Sequence, residues 1–208
     1  MLLFLMTSGA SYASDPVSSP ENDLAADFFK GLNHDSVISD FEQTRYVAQA
    51  ERSLKSSGKM LFTAGDGLCW KMLSPFSRSW LFFKDGVTEY LPDGTSKSVS
   101  GDADGMFSGV LLSVLNGGIN GDTERLTAAF EVTDGGHDGK NDIRSVFLKP
   151  RDVNIARIIY RIKLERRNDV LHGITIMEHG NGYTKMTFLN QRSDGDDVPP
   201  VREFCAFR

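Results

Sequence analysis

An alternation of apolar and polar residues runs from residue 41 to residue 83, and it limits the fold of this chain more than any other feature. Gly58, the pair Gly65 and Gly67, and Pro75 interrupt the alternation at intervals that suit turns between successive strands. Because strand side chains point alternately to the two faces of a sheet, one face of each strand is expected in a core and the other in water. The segment therefore predicts an antiparallel meander.

The second half of the chain repeats this pattern. The predicted strands there are Ala129 to Thr133, Ile143 to Leu148, Ile158 to Leu164, Leu171 to Glu178, Tyr183 to Asn190 and Val201 to Phe207. In the third of them, the period of two predicts one shared face for Ile158, Tyr160, Ile162 and Leu164. A length of 208 residues suits a single mainly β domain with one sizeable core.

Helical signals precede the first strand. Ser19 is placed to cap a helix, Pro20 suits its first position, and Leu24, Phe28 and Leu32 recur every four residues along one face. These signals predict a short amphipathic helix that plugs an end of the sheet.

A second helix is predicted over residues 105 to 115, GMFSGVLLSVL, which are apolar on nearly every side and are followed by Asn116, Gly117 and Gly118. A helix that is apolar all round must be buried or must cover an apolar surface. Two interpretations stay open. The segment is either a mobile lid over an apolar cavity or a fixed helix of the core.

The charge balance and the N-terminus bear on partners and location. A formal net charge of -5 without a basic stripe argues against a nucleic-acid partner. Residues 1–13 resemble the end of a secretory signal, with small residues at Ser11 and Ala13 ahead of the polar Ser14. We expect cleavage after Ala13 and export to the periplasm; the alternative is an apolar tail that is not a signal.

The chemistry-bearing residues show no catalytic or metal motif. Ser108 lacks the surrounding Gly-x-Ser-x-Gly elbow, and no His-Glu-x-x-His occurs, so no enzyme and no cofactor are expected. Residues 134 to 142 favour a polar hairpin turn over a calcium loop, because the EF-hand spacing of carboxylates is missing. Cys69 and Cys205 either form a disulfide or remain buried thiols.

The apolar residues on the predicted strands and the second helix indicate a binding cavity, although each of them alone also suits a packed core. The candidate ligand-binding residues are Phe41, Met60, Phe62, Leu68, Trp70, Met72, Met106, Phe107, Leu111, Leu115, Ile162, Met186 and Phe188.

The order of a few residues within the first meander resembles a known family. Phe41 with Gln43, then Gly58, then Trp70 followed by Pro75, is similar to the order found in the periplasmic lipoprotein carriers, the LolA/LolB-like proteins. The resemblance implies an incomplete, strongly curved antiparallel β-barrel of about eleven strands, with a helical lid and an apolar cavity. It implies one such domain over residues 14–208.

The same resemblance implies a monomeric carrier without cofactors. Its cargo would be a lipoprotein or another acylated lipid, received from an inner-membrane donor complex and passed to an outer-membrane acceptor. The family's Arg-Pro before the tryptophan strand, whose arginine helps hold the lid, is replaced here by residues 63–67, TAGDG. The sequence therefore predicts neither the contact that holds the lid nor the identity of the cargo. Alternatives are an envelope module that senses a lipid or binds a protein and, less favoured, a hydrolase with a dispersed site.

Overall fold

The computed structural model describes residues 19–32, 34–83, 86–99, 114, 122–193, 195 and 197–207. The signal segment predicted over residues 1–13 lies outside these ranges. The strands are β1 (Ser36–Val47), β2 (Arg52–Thr63), β3 (Gly67–Ser74), β4 (Arg78–Phe83), β5 (Gly86–Tyr90), β6 (Ser96–Val99), β7 (Phe130–Asp138), β8 (Ile143–Pro150), β9 (Ile159–Arg167), β10 (Val170–Glu178) and β11 (Tyr183–Ser193).

The eleven strands form one antiparallel sheet in the order β6-β5-β4-β3-β2-β1-β11-β10-β9-β8-β7. Strands β1 to β6 are one meander and β7 to β11 are another, and the pairing of β1 with β11 joins them. Strands β6 and β7 are the two edges and do not pair with each other over the described residues. The strongly curved sheet is thus an incomplete barrel, which confirms the predicted fold class.

The described helices are short. They are α1 (Pro20–Phe29), α2 (Thr123–Ala129), α3 (Val153–Ala156) and α4 (Val201–Cys205). The Ser19 hydroxyl accepts a hydrogen bond from the Asn22 amide at 3.3 Å, as the capping signal predicts, and Phe28 of the predicted apolar face is buried. None of the helices in the described ranges has the length and apolar character that crossing a membrane requires.

Two apolar cores lie on opposite faces of the sheet. The larger core covers the inner, concave face and includes side chains from α1, α2 and most of the strands. The smaller one lies on the outer face, where α4 packs against β3 and β4. Its buried members are Leu61, Cys69, Leu81, Val201 and Cys205.

The prediction of a strand over Val201 to Phe207 is wrong, because α4 occupies this segment. Val201 and Cys205 are both buried, and residues four apart share one face of a helix. Pro200, at the N-cap, leads the chain into the first turn. The spacing of the buried residues therefore follows the helical period.

The face predicted for the start of β9 is also partly wrong. Ile162 and Leu164 are fully buried, whereas Ile158 and Tyr160 are 47% and 48% exposed. Strand β9 begins at Ile159, and the β10 register passes from Arg161 directly to Ile159. This bulge leaves Tyr160 unpaired with β10 and shifts the alternation of faces by one residue.

Candidate functional site

Nine predicted site residues lie on described strands, and the structure brings all nine to the concave face. Eight of them are buried within one apolar cluster, and the ninth, Met72, is partly buried and packs against it. The buried eight are Phe41, Met60, Phe62, Leu68, Trp70, Ile162, Met186 and Phe188. The cluster continues across both meanders, so it forms one apolar surface.

The centre of this surface is aromatic. The rings of Phe41 and Trp70 stack with centroids 3.9 Å apart and planes inclined by 24°. Phe188 meets Trp70 edge to face, at a centroid distance of 6.3 Å. Phe41 and Phe188 are paired residues of β1 and β11, so the aromatic group lies at the junction of the two meanders.

A glycine underlies the aromatic stack. Gly58 on β2 is the paired residue of Phe41 on β1, and a register shift with β3 lies beside it. A Cβ built on Gly58 would lie 2.0 Å from the Lys71 carbonyl oxygen, so the β3 backbone leaves no room for any side chain there. The close approach of the two backbones explains why this position holds glycine.

The remaining predicted site residues lie outside the described residues. They are Met106, Phe107, Leu111 and Leu115. Val114, from the same predicted helix, is described; it is 1% exposed and belongs to the concave cluster.

The concave face also includes residues of β4 and β5 that the sequence patterns did not predict. Trp80 and Val87 are partly buried and pack against the concave cluster, next to the buried Phe82. The alternation of Trp80 and Phe82 along β4 was the available signal. Trp80 is also the paired residue of Glu89 on β5, a carboxylate that no motif indicates.

Glu89 is the centre of an ion-pair cluster on the concave face. Its side chain is only 5% exposed. One carboxylate oxygen lies 3.1 Å from Arg78 Nη1, and the other lies 3.0 Å from Lys97 Nζ. Since a buried carboxylate is costly unless it is paired, the two cations allow Glu89 to occupy this position.

The outer face carries a separate anchor for the C-terminal segment. Cys69 on β3 and Cys205 on α4 form a disulfide, with their Cα atoms 5.6 Å apart. Lys71 Nζ donates hydrogen bonds to the carbonyls of Phe204 and Ala206, at 2.9 and 2.8 Å. Burial lowers the pKa of the Lys71 ammonium below its ordinary value. Helix α4 is therefore fixed to β3 by covalent and polar contacts.

The described residues do not bring together three or more His, Cys, Asp or Glu side chains as metal ligands would require. Of the polar turn predicted over residues 134 to 142, residues 134–138 belong to β7 and residues 139–142 form the turn. The concave face of the sheet thus carries a buried, continuous apolar cluster, with aromatic rings at its centre and one charged cluster at its β4–β6 side.

Comparison with protein-family models and with curated proteins gave no match. Among solved structures, a DUF1329 family protein from Desulfovibrio piger is similar over 89% of this chain and 96% of its own, with 14% identity and a TM-score of 0.49. A putative outer membrane lipoprotein-sorting protein domain from Vibrio parahaemolyticus is similar over 85% and 93%, with 13% identity and a TM-score of 0.45.

A LolA superfamily protein from Nitrosomonas europaea is similar over 87% of this chain and 96% of its own, with 9% identity and a TM-score of 0.48. The LolA superfamily, which the sequence resembles, is thus among the solved structures to which this chain is similar.

Proposed function

We propose that this protein binds the acyl chains of a lipoprotein or another acylated lipid on its concave face and carries them through the periplasm to an outer-membrane acceptor. The observation that carries the proposal is the continuous apolar cluster on the concave face of a curved, unclosed sheet, to which both meanders contribute. Each methylene group removed from water stabilises a complex by about 0.8 kcal/mol, so even part of an acyl chain binds usefully.

The unpaired edges of the sheet support this proposal. A closed barrel of few strands fills its interior with its own side chains. Here β6 and β7 remain unpaired with each other in the described structure, and we propose that an acyl chain enters between these two edges. Met60, Met72 and Met186 contribute flexible thioether side chains that adapt to a ligand of variable shape.

Transfer without chemistry requires an acceptor that binds the cargo more tightly than the carrier does. We expect the protein to receive its cargo from an inner-membrane donor and to release it to an outer-membrane acceptor. We also expect it to act as a monomer and without a cofactor. The proposal includes export of the protein to the periplasm. N-terminal sequencing of the exported protein is expected to begin at Ser14, and an intact Met1 on cytoplasmic protein would contradict the periplasmic location.

The direct test is a titration of delipidated protein with a fluorescent fatty acid, followed by incubation with acceptor vesicles. We expect saturable binding, recovery of the probe chemically intact, and transfer to the vesicles. If the protein cleaved an ester of the same fatty acid, the result would indicate a hydrolase instead. Absence of saturable binding would contradict the proposal.

A lipid-sensing or protein-binding module of the same fold is the second candidate. Large exposed apolar side chains near the β1–β2 and β3–β4 connections favour it: Leu54 is 60% exposed, Leu73 45% and Phe76 72%. Exposed apolar groups that lie together are common where proteins associate. Acyl binding without release to any acceptor vesicle would favour this candidate over the carrier.

A further inference from the structure

Arg78, Glu89 and Lys97 come from three adjacent strands, and the sheet register places all three on the concave face. Glu89 is the paired residue of Trp80 on one side and of Lys97 on the other. Arg78 precedes Trp80 by two residues in β4 and therefore shares its face. Because Trp80 packs against the concave cluster, the charged cluster lies on the same face as the apolar surface.

The cluster lies where the apolar surface meets water. Arg78 is the paired residue of Met72, which packs against the concave cluster. The Arg78 and Lys97 side chains are 51% and 63% exposed, whereas Glu89 is 5% exposed. The carboxylate is thus the buried partner, and the two cationic groups remain accessible to solvent, with Arg78 beside Met72.

The charges of the cluster do not cancel. Two cations share one carboxylate, which leaves one positive charge in a chain whose formal net charge is -5. The contact with Glu89 engages Nη1 of Arg78, while a guanidinium carries five N–H donors and an ammonium carries three. Glu89 thereby holds two cationic donors side by side without neutralising both of them.

We infer that Arg78 and Lys97, held by Glu89, form a headgroup subsite that binds the phosphate of an anionic acylated lipid. This inference rests on the proposed function, since the acyl chains of that lipid would lie on the concave face beside Met72 and Trp80. A guanidinium can donate two parallel hydrogen bonds to the oxygens of a phosphate. A neighbouring ammonium adds another charge-assisted hydrogen bond. The preferred cargo is then an acylated lipid with a phosphate head.

The test compares lipids that share their acyl chains and differ in the head. Delipidated protein is titrated with dioctanoyl phosphatidylglycerol, with dioctanoylglycerol and with inorganic phosphate alone. We expect the wild type to bind the phosphate lipid about tenfold more tightly than the neutral one. Arg78→Gln and Lys97→Gln should each remove most of this preference and leave the affinity for dioctanoylglycerol unchanged.

Two further variants separate headgroup binding from a purely structural ion pair. Lys149→Gln is the matched control, since Lys149 is an exposed cation that lies 3.6 Å from Glu131 on two other paired strands, and it should keep the preference. Glu89→Gln removes the carboxylate that holds Arg78 and Lys97 side by side, so the preference for the phosphate lipid should fall although the local positive charge rises; a preference that rose would show that net charge alone attracts the lipid and would overturn the subsite. A thermal melt of each variant identifies any loss of folded protein.

The outcomes distinguish the subsite from the proposed function. Equal affinity of the wild type for the two lipids, or a preference unchanged in Arg78→Gln, would overturn the subsite while leaving acyl binding intact. Failure of both lipids to bind would overturn the proposed function as well. If inorganic phosphate alone bound as tightly as the lipid, and Arg78→Gln abolished that binding, the site would belong to free phosphate and the headgroup assignment would be wrong.

Discussion

The ring of Phe41 on β1 stacks on the indole of Trp70 on β3, although β2 runs between these two strands. The residue of β2 paired with Phe41 is Gly58, which has no side chain to separate the rings. Three residues from three successive strands thus form one structural unit at the centre of the concave face. Its geometry gives the first prediction.

Gly58→Ala should destabilise the fold strongly, because the added Cβ would meet the backbone oxygen of Lys71 rather than a movable side chain. We expect a loss of about 2 to 4 kcal/mol in the free energy of unfolding, measured by urea denaturation. Gly139→Ala is the control, since a Cβ there has no neighbour within 4 Å. Equal stability of the two variants would show that β2 and β3 are not in close contact at Gly58.

Two neighbouring residues of β3 are expected to respond differently in acyl binding. Met72 packs against the concave cluster, while the next residue, Leu73, is 45% exposed and is not part of that cluster. Met72→Gln should weaken fluorescent fatty acid binding by about threefold to tenfold, because it places an amide against the chain. Leu73→Gln should leave the affinity unchanged. Equal effects of the two substitutions would argue against binding on the concave face.

The disulfide between Cys69 and Cys205 joins residues 136 positions apart. Closing so long a loop restricts the unfolded chain, so the double variant Cys69→Ser, Cys205→Ser should lose about 2 to 5 kcal/mol of stability. The bond itself is checked by intact mass after alkylation without reduction. Two alkylated thiols in protein isolated from the periplasm would contradict it.

Asp40 gives a prediction about acid stability. Its carboxylate accepts hydrogen bonds from Asn190 Nδ2 at 2.7 Å and Lys59 Nζ at 2.6 Å, and these contacts lower its pKa below the ordinary 3.8. Because the pKa is lower in the folded state, the stabilisation is present above pH 3.8 and is lost as the pH falls through the lowered value.

Asp40→Asn should therefore cost about 0.5 to 1 kcal/mol at pH 7, a modest amount because the pair is partly exposed. The difference from the wild type should shrink once the pH falls below 3.8. Asp66→Asn, in the exposed turn between β2 and β3, is the matched control. A difference between wild type and Asp40→Asn that stayed constant down to pH 2 would contradict this account of Asp40.

The sequence predicted those parts of the fold that depend on local patterns. Alternation along β1 to β4 placed Phe41, Met60 and Trp70 on one face, and the Ser19-Pro20 signal located α1. Helix α4 was missed because its five residues are too few for a period of two and a period of 3.6 to be told apart. The bulge at Tyr160 depends on the pairing with β10, which no local pattern reveals.

The charged cluster could not be predicted from the sequence for a similar reason. Arg78, Glu89 and Lys97 are 11 and 8 residues apart in sequence and belong to no motif. Only the register of β4, β5 and β6 brings them together. Their chemistry becomes visible once strand pairing is known, whereas the apolar surface is visible from composition and period alone.

Native mass spectrometry of the natively expressed protein, purified from the periplasm that we propose as its location, tests the central claim most directly. We predict a population with added mass that corresponds to an acylated lipid or lipoprotein, and this mass should dissociate without a covalent bond under denaturing conditions. Delipidated protein should then regain the adduct from a membrane extract. Protein that leaves the periplasm without any adduct and gains none from the extract would contradict the account of an acyl carrier.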